Sequence, residues 1–246
     1  MILYLNIDRA IMEEPIRYFL ATVGFNLSEI KDYIIGEKYA GIMLRNGNIG
    51  VCAILGTKVS DDLMKGSAPD PESSSHRIML NAWFNAKCNY KREYNDITDI
   101  FDGINFRSQG KIVMVGFFET LYEKFRKAGI DLSVFDIQKK DPVLLGKSKF
   151  ESEISHADTV ILTGTTIFNN TFSDIIAHTK EGCDIFLLGP SNILSEEMFR
   201  YRNVKVVFGS VFEPFDHSLF LKIRDGHGTG GFLANLKKVY IASEIN

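Results

Sequence analysis

The sequence predicts an α/β protein: a doubly wound, mostly parallel Rossmann-like sheet preceded by a smaller α+β domain. Three observations predict it. From Lys111 onward, short apolar runs alternate with helix-length segments, the rhythm of βαβ units around a parallel sheet. Most of those runs are apolar throughout, as strands buried on both faces are. Earlier in the chain the rhythm differs, with two apolar runs flanking Asn46-Gly47 between two amphipathic helical stretches. The expected division is residues 1–106 for the smaller domain and 107–246 for the Rossmann-like one.

In the first part, Ile16, Phe19, Leu20 and Val23 form one helical stripe that Gly24 ends. "YAGIMLRNGNIGVCAIL" reads as an antiparallel hairpin turning at Asn46-Gly47, the pair best suited to a type I′ turn. "KGSAPDPESSS" is a surface loop. A helix from about Ser75 to Lys87 follows, with Met79, Ala82, Trp83 and Ala86 facing the core. "EYNDITDIFDGINFRSQG" joins the two parts.

"KIVMVGFF" begins the second part as a strand. The helix after it places Leu121, Phe125 and Ala128 on one stripe and stops at Gly129. "DLSVFDI", "DTVILTG", "CDIFLLG", "KVVFGSVF" and "KKVYIA" supply five further strands. "TFSDIIAHTKEG" and "SEEMFRYRN" have helical lengths, the second starting at Ser195.

At 246 residues, 45% of them apolar and 24% charged, the chain can bury a real core and resembles ordinary globular proteins. Its net charge of −3 is interspersed, without the Lys/Arg run that a nucleic-acid partner requires. "MILYLNIDRAIMEE" is not a secretory signal, and no apolar run approaches the roughly 20 residues that span a bilayer. No membrane partner and a cytoplasmic location are therefore expected. Cys52, Cys88 and Cys183 are odd in number and far apart, which fits a reducing compartment. His76, His156, His178, His217 and His227 are equally scattered, so no protein-built metal site is expected.

Chemistry is expected at the carboxyl ends of the parallel strands, where loops gather backbone N–H groups. "TGTTIFNNT" leaves a buried strand and sets Thr163, Gly164, Thr165, Thr166, Asn169, Asn170 and Thr171 at such an end. These side chains either cap the next helix or present uncharged donors and acceptors to a ligand. Gly116 and Phe117 after the first strand, and Gly189, Pro190 and Ser191 after "IFLL", lie on the same predicted edge. Asp136 ends the second strand about twenty residues beyond Gly116, the place of a ribose-binding carboxylate in dinucleotide folds. "VGFFET" nevertheless lacks the GxGxxG fingerprint, which disfavours NAD, FAD and S-adenosylmethionine. Asp136 and Glu119 are the acid/base candidates. "DGHGTGG", Asp225 to Gly231, reads as a lid or plain loop ahead of an anion nest. Asn81 and Asn85, one helical turn apart, either cap a neighbouring loop or reach a shared ligand.

"MVGFF", "VFD", "ADTVILTGTTIFNNT", "LLGPS" and "FGSVFEP", in that order from Met114 to Pro214, resemble the heavy-metal-chelation family of unknown function. "IIGEKYAGIML" and "NAWFN" extend the resemblance toward the N-terminus. It implies an enolase N-terminal-like domain before a Rossmann-like domain, with a pocket between them. It also implies a small-molecule ligand such as a pterin, a flavin, a nucleotide-like compound or a metal chelate, with no settled reaction. The sequence departs from the family pattern at Asn170, where glycine is common, at Asp136, where Glu is usual, and at Asn192, where proline is frequent. The expected function is thus small-molecule binding, enzymatic by hydrolysis or condensation. The alternative is a non-catalytic carrier of a metal–chelator complex. The cofactor is left open, and a homo-oligomer is compatible with the sequence.

Overall fold

A computed structural model describes residues 13–94 and 99–243. It is a mixed α/β structure with a three-stranded antiparallel sheet and a separate, mostly parallel six-stranded sheet. Helix α1 (Pro15–Thr22) starts where the Glu14 carboxylate accepts hydrogen bonds from the Ile16 and Arg17 amides. Strands β1 (Ile30–Ile35), β2 (Tyr39–Leu44) and β3 (Ile49–Ala53) pair in sequence order. The β2–β3 hairpin forms as expected, but its turn is not type I′. The Leu44 carbonyl accepts from the Gly47 amide and the Leu44 amide donates to Asn48, closing a three-residue loop. Only Gly47, at φ +93°, takes positive φ there, so this is a type I turn followed by a bulge.

Helix α2 (Ser74–Cys88) starts at Ser73, whose hydroxyl accepts from the His76 amide. The expected stripe of Met79, Ala82, Trp83 and Ala86 is buried, and so is most of the rest of the helix. The second part of the chain covers the face that sequence periodicity left to solvent. The Trp83 indole N–H donates to the Gly24 carbonyl at 2.8 Å, tying the end of α1 to α2.

Helix α3 (Ile100–Gly103) lies in the connecting segment, part of which, residues 95–98, falls outside the described residues. Strand β4 (Ile112–Val115), helix α4 (Glu119–Ala128) and strand β5 (Leu132–Phe135) then build the first βαβ unit. Helix α5 (Phe150–Ser155), strand β6 (Thr159–Thr163), helices α6 (Thr165–Phe168) and α7 (Phe172–His178), and strands β7 (Asp184–Leu188) and β8 (Val204–Phe212) follow. Helix α8 (His217–Arg224) and strand β9 (Leu236–Ala242) complete the chain. The sheet order is β5-β4-β6-β7-β8-β9, parallel except for β9, which runs antiparallel to β8. "SEEMFRYRN" is not an α-helix. Glu196–Arg200 forms a tight 3-10 turn, with Ser195 capping it as expected.

Helix α8 packs against β1 and β2 of the smaller sheet. Phe232, fully buried, inserts beside Tyr39 and Phe212, with ring centroids 5.0 and 6.4 Å away. The two sheets therefore share apolar cores. Among the described residues no helix is long and apolar enough to cross a membrane.

All three cysteines are buried. Burial pushes the Cys88 and Cys183 thiols up to about 11 and that of Cys52 further still. A chromogenic disulfide reagent at pH 8 is expected to leave the native thiols almost untouched and to titrate three per chain in guanidinium. A fast-reacting thiol in the native protein would contradict this burial.

Candidate functional site

Strand order reverses at β4, with β5 on one side and β6 on the other, and open α/β sheets bind ligands beyond the carboxyl ends of the strands at such a point. A cavity of about 450 Å³ opens there. Its walls are the first turn of α4, the loops after β6 and β7, strands β8 and β9, and Thr229 and Gly230 of the glycine-rich segment. Leu121, Leu188, Phe208 and Val239 make it apolar, while Thr163, Thr165, Ser191, Ser210, Tyr39 and Thr229 contribute hydroxyls. A mostly apolar pocket with a few convergent polar groups is the usual form of a small-molecule site.

Helix α4 begins at Phe118 without a side-chain cap. The amides of Glu119, Thr120 and Leu121 have no hydrogen-bond partner among the described residues, and all three residues line the cavity. At the mouth, Asp99 sits between Lys124 Nζ, 3.0 Å away, and Lys238 Nζ, 3.8 Å away. Burial works against the Asp99 charge, but hydrogen bonds from Lys124 and the Phe101 amide outweigh it and hold the carboxyl below its ordinary value. Burial also disfavours the Lys124 ammonium, and its bond to Asp99 outweighs that and raises its pKa. Both groups are charged at neutral pH. The Tyr39 hydroxyl lies 2.7 Å from Thr229 Oγ1, and burial pushes the phenol up to about 12, so it stays protonated.

The structure brings together part of the site expected from sequence. Thr163, Gly164, Thr165, Gly189, Pro190, Ser191 and Glu119 line the cavity. Thr163 Oγ1 accepts from the Thr165 amide and hydroxyl, and the Thr166 hydroxyl donates to the Thr163 carbonyl at 2.7 Å. These bonds make "TGTT" a self-capped turn leading into α6, with Thr166 buried behind the wall. Asn169, Asn170 and Thr171 lie beyond α6 and do not line the cavity. Asn169 Oδ1 accepts from the Thr171 amide and hydroxyl, while Asn170 takes φ +63°, a conformation that Asn tolerates where glycine is common.

Gly116 and Phe117 form the turn behind the α4 N-terminus and do not line the cavity. Gly116 takes φ +96° directly against Thr163. Asp136 is also off the lining: its carboxylate accepts the amides of Phe117, Gln138 and Lys139, each at 2.8 Å. It thus holds the Gly116–Phe118 turn in place.

Asn81 and Asn85 resolve toward the loop-capping alternative. Asn81 Nδ2 donates to the Ser191 carbonyl at 2.8 Å, and Asn85 Nδ2 donates to the carbonyls of Val51 and Pro190 at 2.8 and 3.3 Å. Asn89 continues the row, donating to the Asn192 carbonyl at 3.2 Å and accepting the Leu194 amide at 2.8 Å. Three asparagines spaced one helical turn apart, two on α2 and Asn89 at its C-terminal cap, thereby hold three consecutive carbonyls of the loop that walls the cavity. Asn192 Nδ2 fixes the same loop to the Phe208 carbonyl at 2.7 Å.

Sequence reasoning missed Tyr39, Asp99, Lys124, Ser210 and Lys238. A signal existed for two of them: Tyr39 stands inside "IIGEKYAGIML" and Ser210 inside "FGSVFEP". The others reach the cavity only because the connecting segment, α4 and β9 converge on it.

Fold and site together define a Rossmann-like α/β protein with a ligand-sized cavity at the carboxyl edge of its parallel sheet. Residues 99–242 match the model of a family, DUF364, described as "Putative heavy-metal chelation". The match spans more than half of the chain, and the chain belongs to that family. Two solved structures of DUF364 proteins of unknown function share the fold. One, from Pyrococcus horikoshii, superposes with a TM-score of 0.75 at 19% identity over 88% of this chain and 95% of the other. The second, from Desulfitobacterium hafniense DCB-2, gives a TM-score of 0.69 at 18% identity over 92% and 97% of the respective chains. No curated protein matches the sequence significantly.

Proposed function

We propose that the protein binds a pterin-, flavin- or nucleotide-like heteroaromatic compound linked to metal handling, in the cavity at the carboxyl edge of its six-stranded sheet. The observation that carries this reading is the cavity of about 450 Å³ itself, apolar enough for a planar ring and edged by uncharged hydroxyls at the topological switch point. Thr163, Thr165 and Ser191 orient the ligand's polar edge. Asp136 acts at one remove, by holding the turn that leads into α4. If the ligand is turned over by hydrolysis or condensation, Glu119, at the exposed rim of the cavity, is the acid/base candidate.

A second reading, a carrier of a metal–chelator complex, is favoured by one observation. Among the described residues no group of three or more His, Cys, Asp or Glu side chains could hold a metal ion. A metal would then arrive with its own organic ligands.

Thermal unfolding with pterins, flavins, nucleotides and metal-loaded chelates tests both. A compound that binds only the folded state is expected to stabilise it by about 2.7 kcal/mol at a hundredfold excess over Kd. Replacing Thr163 by valine should weaken that response about tenfold in Kd, the effect of losing one hydrogen bond to a buried ligand. Stabilisation by metal-loaded chelates alone would select the carrier reading, and no response to any heteroaromatic compound would sink the first.

A further inference from the structure

We infer that the cavity's ligand carries an anionic oxygen group, a carboxylate or a phosphate, seated on the first turn of α4, and a neutral polar group facing Ser210. This rests on the reading of the cavity as a heteroaromatic site and adds the charge and polarity that such a ligand must have.

Two independent observations support it. The first is the uncapped start of α4, a helix of 10 residues whose opening residues Glu119, Thr120 and Leu121 line the cavity and whose amides there have no partner among the described residues. Unpaired N–H groups at the positive end of a helix dipole favour an anion. The second is Ser210, on β8. It is only 5% exposed, it lines the cavity, and among the described residues its hydroxyl has no hydrogen-bond partner. Alternation along β8 places it on the same face as Phe208, toward the cavity. That hydroxyl is thus open to the cavity and free to bond a group placed there. Lys238 stands directly opposite Ser210 on β9. It shares Asp99 with Lys124, which also reaches Asp102 at 3.6 Å, so the lysines leave the chamber close to neutral and the anion rests on the helix amides.

The carboxylates facing this space are Asp99 and Glu119. Asp99 is neutralised by its two lysines. Glu119 is exposed at the rim and has no ion-pair partner among the described residues, so it opposes the anion. That opposition makes the inference testable with one exposed residue.

The experiment is a calorimetric titration of the full chain with two matched pairs of probes: pterin against pterin-6-carboxylate, and guanosine against guanosine monophosphate. The charged member of at least one pair is expected to bind about tenfold more tightly than its neutral partner at low salt. Glu119→Gln should strengthen the charged member several-fold relative to the neutral one. Ser210→Ala should weaken both members of that pair alike, because it removes the contact to the ring and not to the charge. A preference for the carboxylate or for the phosphate would identify the source of the anion. Equal binding of charged and neutral members, or no gain from Glu119→Gln, overturns this inference while the heteroaromatic reading stands. If no member of either pair binds, this inference fails, and the heteroaromatic reading is then decided by the flavins of the thermal screen.

Discussion

Replacing Arg77 by alanine is expected to lower the unfolding free energy by about 3–5 kcal/mol, the usual cost of stripping one partner from a buried ion pair. The Arg77 side chain is 4% exposed and that of Glu14 is 11% exposed. Both guanidinium termini bond the Glu14 carboxylate, Nε donates to the Phe168 carbonyl at 2.6 Å, and the termini also reach Ile167 and Pro71 at 2.7 and 2.9 Å. All five donors are used. The alanine variant leaves the Glu14 charge with only the α1 amides and leaves the last carbonyls of α6 without partners. Chemical denaturation should show the loss, with a melting temperature lower by about 10 °C for a chain of this size. A double variant, Arg77→Met with Glu14→Gln, should recover much of it, because the uncompensated charge is then gone. A loss under about 1 kcal/mol in the single variant would mean that the pair is solvated like a surface bridge.

Replacing Gly50 by alanine should cost about 3 kcal/mol, the upper end for overpacking, because the new methyl group meets backbone on both sides. A Cβ there would overlap the Ala82 carbonyl and the Ala86 amide of α2, and neither can rotate away. The helix would have to lift from β3. Asn81, Asn85 and Asn89 ride on that helix and hold the carbonyls of Ser191, Pro190 and Asn192, so the cavity wall should move with it. Reduced stability together with a weakened response to any cavity ligand is therefore the expected pair of results. Gly228 is the control: its backbone is extended and the nearest obstacle is the flexible end of Lys38, at 3.5 Å. Gly228→Ala should stay within about 0.5 kcal/mol of the parent. An equally stable Gly50→Ala would show that α2 is not seated as tightly as described.

Much of this architecture was legible in the sequence because short-range physics decides it. The continuous apolar runs became β6, β7 and β8, because a strand covered on both faces buries most of its side chains. Gly129 ended α4 in the left-handed conformation, with the Ile130 amide returning to the Phe125 carbonyl. The loops after β6 and β7 stood where the parallel-strand rule puts ligand loops, and both line the cavity. The turn at Asn46-Gly47 was misread because one added residue in the loop changes the turn type while leaving the same two residues at its tip.

By itself, then, the sequence determined the strand pattern, the helix ends and the sheet edge on which chemistry is expected, all products of local periodicity and backbone sterics. Tertiary structure alone decided which polar groups share that edge. Asn81 and Asn85 became clamps because the second part of the chain covers their face of α2, and their buried amide N–H groups find the loop carbonyls there. Asp136 was drawn to three backbone amides that only the meeting of the β4 and β5 loops brings within reach. Ser210, Lys238, Asp99 and Tyr39 became neighbours through antiparallel pairing and sheet-to-sheet packing, contacts between residues far apart in the chain that no local pattern encodes.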